Sequence, residues 1–158
     1  MATIQDMKDG INTLLASVTG IGKVYKMRKI VKKPADFAST FTAGDPAIIN
    51  TWEITNRSIP EAPAGIGSGA NIRERTWDWQ IEGWYQFNYN DSEATFDNLV
   101  EAICAKFRGQ NNIGGELCQS DIMQVEVKDV EGFGGGHPEQ EGILCHHAVL
   151  SVPISLIM

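Results

Sequence analysis

Residues 72–89, IRERTWDWQIEGWYQFNY, decide the fold. Trp77, Trp79, Ile81, Tyr85 and Phe87 fall on one parity, and Asp78, Gln80, Glu82 and Gln86 on the other. Successive side chains of a strand point to opposite faces, so this alternation predicts a long strand with one buried and one polar face. Trp84 stands on the polar side. Gly83 beside it marks either a bulge or a close approach by another group, because glycine leaves no side chain to pack.

Outward from that strand, Ile4, Met7, Ile11, Leu14, Leu15 and Val18 recur at three- and four-residue intervals and predict a helix over 4–18. Thr3 with Asp6 forms its N-cap, and Gly20 and Gly22 end it. A strand is expected over 22–31 and, after an irregular proline-containing excursion at 34–47, another over 48–57. In the latter, Ile48, Trp52 and Ile54 oppose Thr51, Glu53 and Thr55. Residues 59–71, IPEAPAGIGSGAN, read as a mobile loop that orders on assembly. A second helix over 92–107 carries Phe96, Leu99, Val100, Ile103, Cys104 and Phe107 on one stripe; Asp91 and Ser92 cap it and Gly109 ends it. Strands over 122–130 and 143–156 follow, joined by a glycine-rich loop that includes 131–136. The expected fold is therefore a single α+β domain spanning 1–158, in α-β-β-β-α-β-β order, with a mixed or antiparallel sheet and two helices packed on one face.

Composition excludes several classes. At 158 residues the chain buries a core without disulfides or metals, and 42% hydrophobic with 21% charged residues is a globular profile. No apolar run approaches the roughly 20 residues needed to cross a bilayer, so no membrane partner is expected. The start, MATIQDMKDG, lacks the pattern of a secretory leader. Cys104, Cys118 and Cys145, an odd count at irregular spacing, fit reduced thiols in a cytoplasm. The net charge of −7 is unevenly placed. Lys23, Lys26, Arg28, Lys29, Lys32 and Lys33 form a run without an acid, leaving 7 bases against 20 acids elsewhere. Such a run is either a strand edge protected by lysines or a charged docking surface.

The motifs of chemistry are thin. Cys145, His146 and His147, with His137 and Cys118 in loops, resemble a zinc ligand set, but strand geometry puts only Cys145 and His147 on one side, and the spacing of a structural zinc site is missing. Neither glycine-rich loop opens a helix in the manner of a phosphate-binding turn. Asp78, Glu82 and Asp91 carry no acid/base signature beyond that of a solvated strand face. No catalytic residue, metal or cofactor is therefore expected. Trp84, on the polar side, is a candidate interface residue or the centre of a second small cluster.

The order of these features resembles the tail terminator, or tail completion, proteins of long-tailed phages, of the minor tail protein U type. The residues that carry the resemblance are Gly20-Ile-Gly-Lys-Val24, Trp52-Glu-Ile-Thr55, Arg75 through Tyr85, Phe96-x-x-Leu-Val-Glu-Ala-Ile103 with the helix continuing to Arg108, and Cys145-His-His-Ala148 running into the final strand. The resemblance implies a virion protein, assembled in the host cytoplasm, that forms a homo-hexameric ring on the tail tube, stops tube polymerisation and meets the neck or head-tail connector protein. A neighbouring neck or head-closure ring protein is the related alternative; a small metal-binding domain using Cys145 and His147, or a free-standing tryptophan-lined binding domain, are alternatives from other classes. In a ring, Lys26, Arg28, Lys29 and Lys32 are expected either to face an acidic neighbour or to line the lumen, where DNA passes without sequence-specific binding.

Overall fold

The computed structural model describes residues 3–31, 33–58, 61–63, 73–110, 112–113, 119–120, 124–133 and 142–157. In chain order they form α1 (Ile4–Ala16), β1 (Lys23–Tyr25), a 3-10 turn (Pro34–Asp36), α2 (Phe37–Phe41), β2 (Thr42–Ala43), β3 (Ile48–Ser58), β4 (Glu61–Pro63), β5 (Arg73–Gln86), α3 (Ser92–Phe107), β6 (Gln119–Ser120), β7 (Gln124–Phe133) and β8 (Ile143–Ile157). The α+β class and the mixed sheet agree with the sequence reading; the element order is longer than expected.

The sheet runs β1-β3-β5-β8, and β8 carries β6 and β7 on its far side. β1 pairs parallel to β3, and every other pairing is antiparallel. Trp52, Gly83, Ala148 and Val127 stand in register across four strands, as do Ile54, Ile81, Leu150 and Val125 one row on. These rows point to the first face. There the inner three strands meet Met7, Ile11 and Leu15 of α1 and Phe96, Leu99, Val100, Ile103 and Phe107 of α3 in one core. Each fully buried aliphatic or aromatic side chain in it contributes roughly 1.5–3 kcal/mol. The two long helices thus share one face, as their stripes require.

Local chemistry sets the helix ends. Thr3 and Asp6 form a reciprocal capping box: the Thr3 side chain accepts from the Asp6 N–H and the Asp6 carboxylate accepts from the Thr3 N–H. The start of α3 departs from expectation, because Asp91 makes no side-chain cap bond. Asn88 Oδ1 instead accepts from the N–H groups of Asn90 and Asp91, and the Ser92 hydroxyl turns back to the Asn88 backbone.

Four further expectations are corrected. The strand placed at 22–31 is only Lys23–Tyr25, because the chain bends at Lys26 and crosses the second sheet face, where the Lys29 N–H donates to Glu53 Oε1 at 2.9 Å. The excursion at 34–47 contains α2, which buries Phe37 and Phe41 against Ile49 and Cys145 on that second face. β3 is in consequence buried on both sides: Thr51 and Glu53 are as hidden as Trp52 and Ile54. Part of the segment read as a mobile loop is ordered, since Glu61–Pro63 pair with Arg73–Arg75. Residues 64–72, Lys32, Cys118, His137 and the glycines at 134–136 lie outside the described residues, as does the proposed ordering of that loop on assembly.

Gly83 resolves to a close approach. The β5 register with β8 is unbroken around it, and a methyl group there would overlap the ring of Trp52 on the adjacent strand. Trp52 stacks on Phe96 at 6.2 Å and donates its indole N–H to Asn50 Oδ1 at 3.1 Å, so the ring has no room to retreat. Gly83→Ala is expected to cost about 3 kcal/mol of stability through overpacking, measured by urea denaturation followed by tryptophan fluorescence.

Candidate interaction surface

On the second face, Thr51, Trp84, His147 and Lys128 stand in one row and Glu53, Glu82, Val149 and Glu126 in the next. Strand register, acting on residues of one parity, therefore brings an indole, an imidazole and two inner-strand carboxylates together, and the crossing segment adds Arg28 above them. His147 is buried. Its Nε2 meets Glu82 Oε1 at 2.7 Å and its Nδ1 meets Glu131 Oε1. The Arg28 guanidinium donates to the other oxygen of Glu82, and its Nε lies 3.8 Å from Glu53 Oε2. Trp84 stacks on the His147 ring at 3.7 Å and 8° and on Phe133 at 4.6 Å and 22°, and Phe133 continues into Phe37 and Phe41.

The electrostatics follow from these contacts. The hydrogen bond to His147, followed by the charge of Arg28, holds the Glu82 carboxyl below the usual range despite its burial. Burial pushes the Glu53 carboxyl the other way, against the Lys29 N–H and the Arg28 charge. Carboxylates only accept, so contacts at both ring nitrogens of His147 call for either an imidazolium or one carboxylic proton. The network is a closed arrangement that clamps the 26–31 crossing onto the sheet. Beside it, Arg28, Lys29, Glu53, Glu82, Trp84 and Phe133 line an open cleft of about 200 Å³.

The expected site residues divide accordingly. Trp84 is half-buried and packs against the second cluster, the small core beneath the excursion. Arg28 uses its charge within the chain. Lys26 reaches Asp9 of α1 at 2.6 Å, with both side chains close to half exposed, a kind of pair worth little in water. Lys29 lies over the Tyr25 ring at 4.9 Å. Of the ligand set considered from sequence, Cys118 and His137 lie outside the described residues; both His147 nitrogens are engaged with carboxylates, and burial pushes the Cys145 thiol up to about 12. His146 faces the opposite core, as parity requires. Its Nε2 lies 2.8 Å from the Ser92 hydroxyl, and both residues are sealed from solvent.

Sequence reasoning missed the Glu82–His147–Glu131 and Ser92–His146 contacts. The parity of 82, 84, 145 and 147 could have placed the first on one face, but only the β5–β8 register brings His147 beside Trp84 and Glu82. The chain matches no protein-family model and no curated protein. No helix among the described residues is long and apolar enough to cross a membrane.

Because its native pKa is depressed, Glu82 contributes stability above the ordinary carboxylate value of about 4.3 and loses it as pH falls through the lower native value. Glu82→Gln is therefore expected to be less stable than the parent by about 1–2 kcal/mol at pH 7. Denaturation series at stepped pH should show the difference shrinking below about pH 4. His147→Ala, which removes the partner of two carboxylates, should cost about 3 kcal/mol at pH 7 by the same measurement.

Proposed function

We propose that the chain is a structural virion subunit that works in a ring, of the phage tail terminator or tail completion kind, capping the tail tube and meeting the neck. The observation that carries this reading is the segregation of charge across one sheet. Lys23, Lys26 and Lys29 accompany the β1 end, while β7 at the far end carries Glu126, Asp129 and Glu131 against Lys128. Two unlike, complementary surfaces on opposite sides of a subunit suit a head-to-tail contact, and repeated rotation about such a contact closes a ring.

The resemblance to tail terminators supports the same reading and supplies its partners: further copies of the chain, a tail tube protein and a neck or connector protein. The residues that carry it are largely scaffold. Trp52, Trp77, Trp79, Ile81, Phe96 and Ile103 all belong to the main core. Glu53, Glu82 and His147 are engaged in one network with Arg28 and Glu131, which fits a subunit whose work is to hold a shape against its neighbours. In this reading the protein acts in the virion, after assembly in the host cytoplasm, and catalyses no reaction.

Light scattering on the purified protein tests the reading: a closed ring, hexameric as the resemblance implies, is expected, alone or on addition of purified tail tubes. A chain that stays monomeric on its own and on tubes overturns it. The Lys26→Glu, Lys29→Glu double variant should weaken the oligomer and flatten its dependence on salt.

A further inference from the structure

We infer that the outer edge of β7 is built to receive the outer edge of β1 from a second copy of the chain, continuing the sheet from subunit to subunit. This rests on the homo-oligomeric reading above and specifies its contact. β7 is a 10-residue strand exposed at every position except Phe133. Among the described residues it pairs with β8 alone, so one row of its backbone N–H and C=O groups faces outward. An edge of this length is a template for another strand unless it is blunted. β7 carries one lysine and one register irregularity, between Lys128 and Glu131.

The side chains of β7 match this purpose. Val125 and Val127 stand opposite Leu150 and Ala148, which are fully buried, yet are themselves 41% and 52% exposed. They extend the apolar first face one strand beyond the cover that the two long helices provide. At the opposite end of the same face, α1 packs over β1 and β3, and Ile4 at its start is exposed. A second copy docked by its β1 edge brings its α1 over the uncovered valines.

Strand direction and charge select this occupant. β7, β8, β5 and β3 alternate in direction, and β1 runs parallel to β3, so β7 and β1 are opposed within one subunit. Copies related head to tail in the same orientation therefore meet as antiparallel strands. Two β7 edges meeting each other would set Glu126 and Asp129 of one copy near the same acids of the next, and like charges across a strand pair are unfavourable. The β1 edge offers Lys23, and Lys26 just beyond it, whose amines rest on the Ser39 carbonyl and on Asp9 of their own chain.

The test uses full-length variants checked first by circular dichroism and thermal melting; the substituted β7 positions are exposed, so native folding is expected. Val125→Lys with Val127→Lys should reduce the parent oligomer to monomer at concentrations at least tenfold above the parent's dissociation range. Glu126→Lys with Asp129→Lys, and separately Lys23→Glu with Lys26→Glu, should each weaken assembly. Mixing these last two variants should restore it, because each then offers the edge the other lacks. An oligomer unaffected by the valine substitutions overturns the edge contact and leaves the ring reading standing. Assembly untouched by the Lys23/Lys26 reversal but lost with the valines means β7 pairs with itself, which overturns the head-to-tail contact. Open filaments dispersed by the valine substitutions support the edge contact and sink the ring. A parent that is monomeric at every concentration and on tail tubes overturns both.

Discussion

Antiparallel pairing of β5 with β8, unbroken from Glu74 opposite Ile157 to Gln86 opposite Cys145, is the constraint on which the other features depend. A slip of one residue would exchange the two faces of either strand, sending Trp79 and Ile81 outward and Gln80 and Glu82 into the core. The register also puts His147 beside Trp84 and Ala148 beside Gly83. The small pair Gly83–Ala148 leaves room for Trp52 to lie across the middle of the sheet.

The two faces solve different problems. The first is apolar, packed by α1 and α3 around tryptophans and branched aliphatics. The second is divided: Phe37, Phe41, Ile49 and Cys145 make a small apolar cluster, and Arg28, Glu53, Glu82, Glu131 and His147 make a charged one alongside it. An ionic group that is largely buried at Glu53, Glu82 and His147 and half exposed at Arg28 and Glu131 is weak evidence for added stability. Here its effect is positional, because it decides where the 26–31 crossing lies and hence how the excursion bearing α2 covers the sheet.

Much of the first face was legible in the sequence because its signals are local. The alternation from Trp77 to Phe87, the α1 stripe of Met7, Ile11 and Leu15, and the Phe96–Phe107 stripe each lie within one element and have a fixed period. The second face was not legible for the opposite reason. Phe37 and Phe41 sit in a segment with two prolines and too short a helix to show a period, and the lysine-rich run after Tyr25 keeps strand-like residues after the strand has ended. Of the candidate surface, the parity of Trp84 and the separation of His146 from His147 were readable. The contacts that give Trp84 and Arg28 their partners join residues distant in sequence and depend on strand register.

The β5–β8 pairing also has a kinetic consequence. α3, β6 and β7 intervene between these two strands, so the central ladder closes a long loop before its contacts reward the ordering. Chains dominated by such non-local pairings fold slowly. During synthesis, β3 and β5 emerge with their apolar sides uncovered on the β8 side until residues 143–157 have left the ribosome, and β7 emerges before the strand on which it lies. The nascent chain therefore passes through a stage in which unsatisfied strand edges outnumber those of the finished fold, and its yield should depend more on chaperone supply and growth temperature than its native stability would indicate.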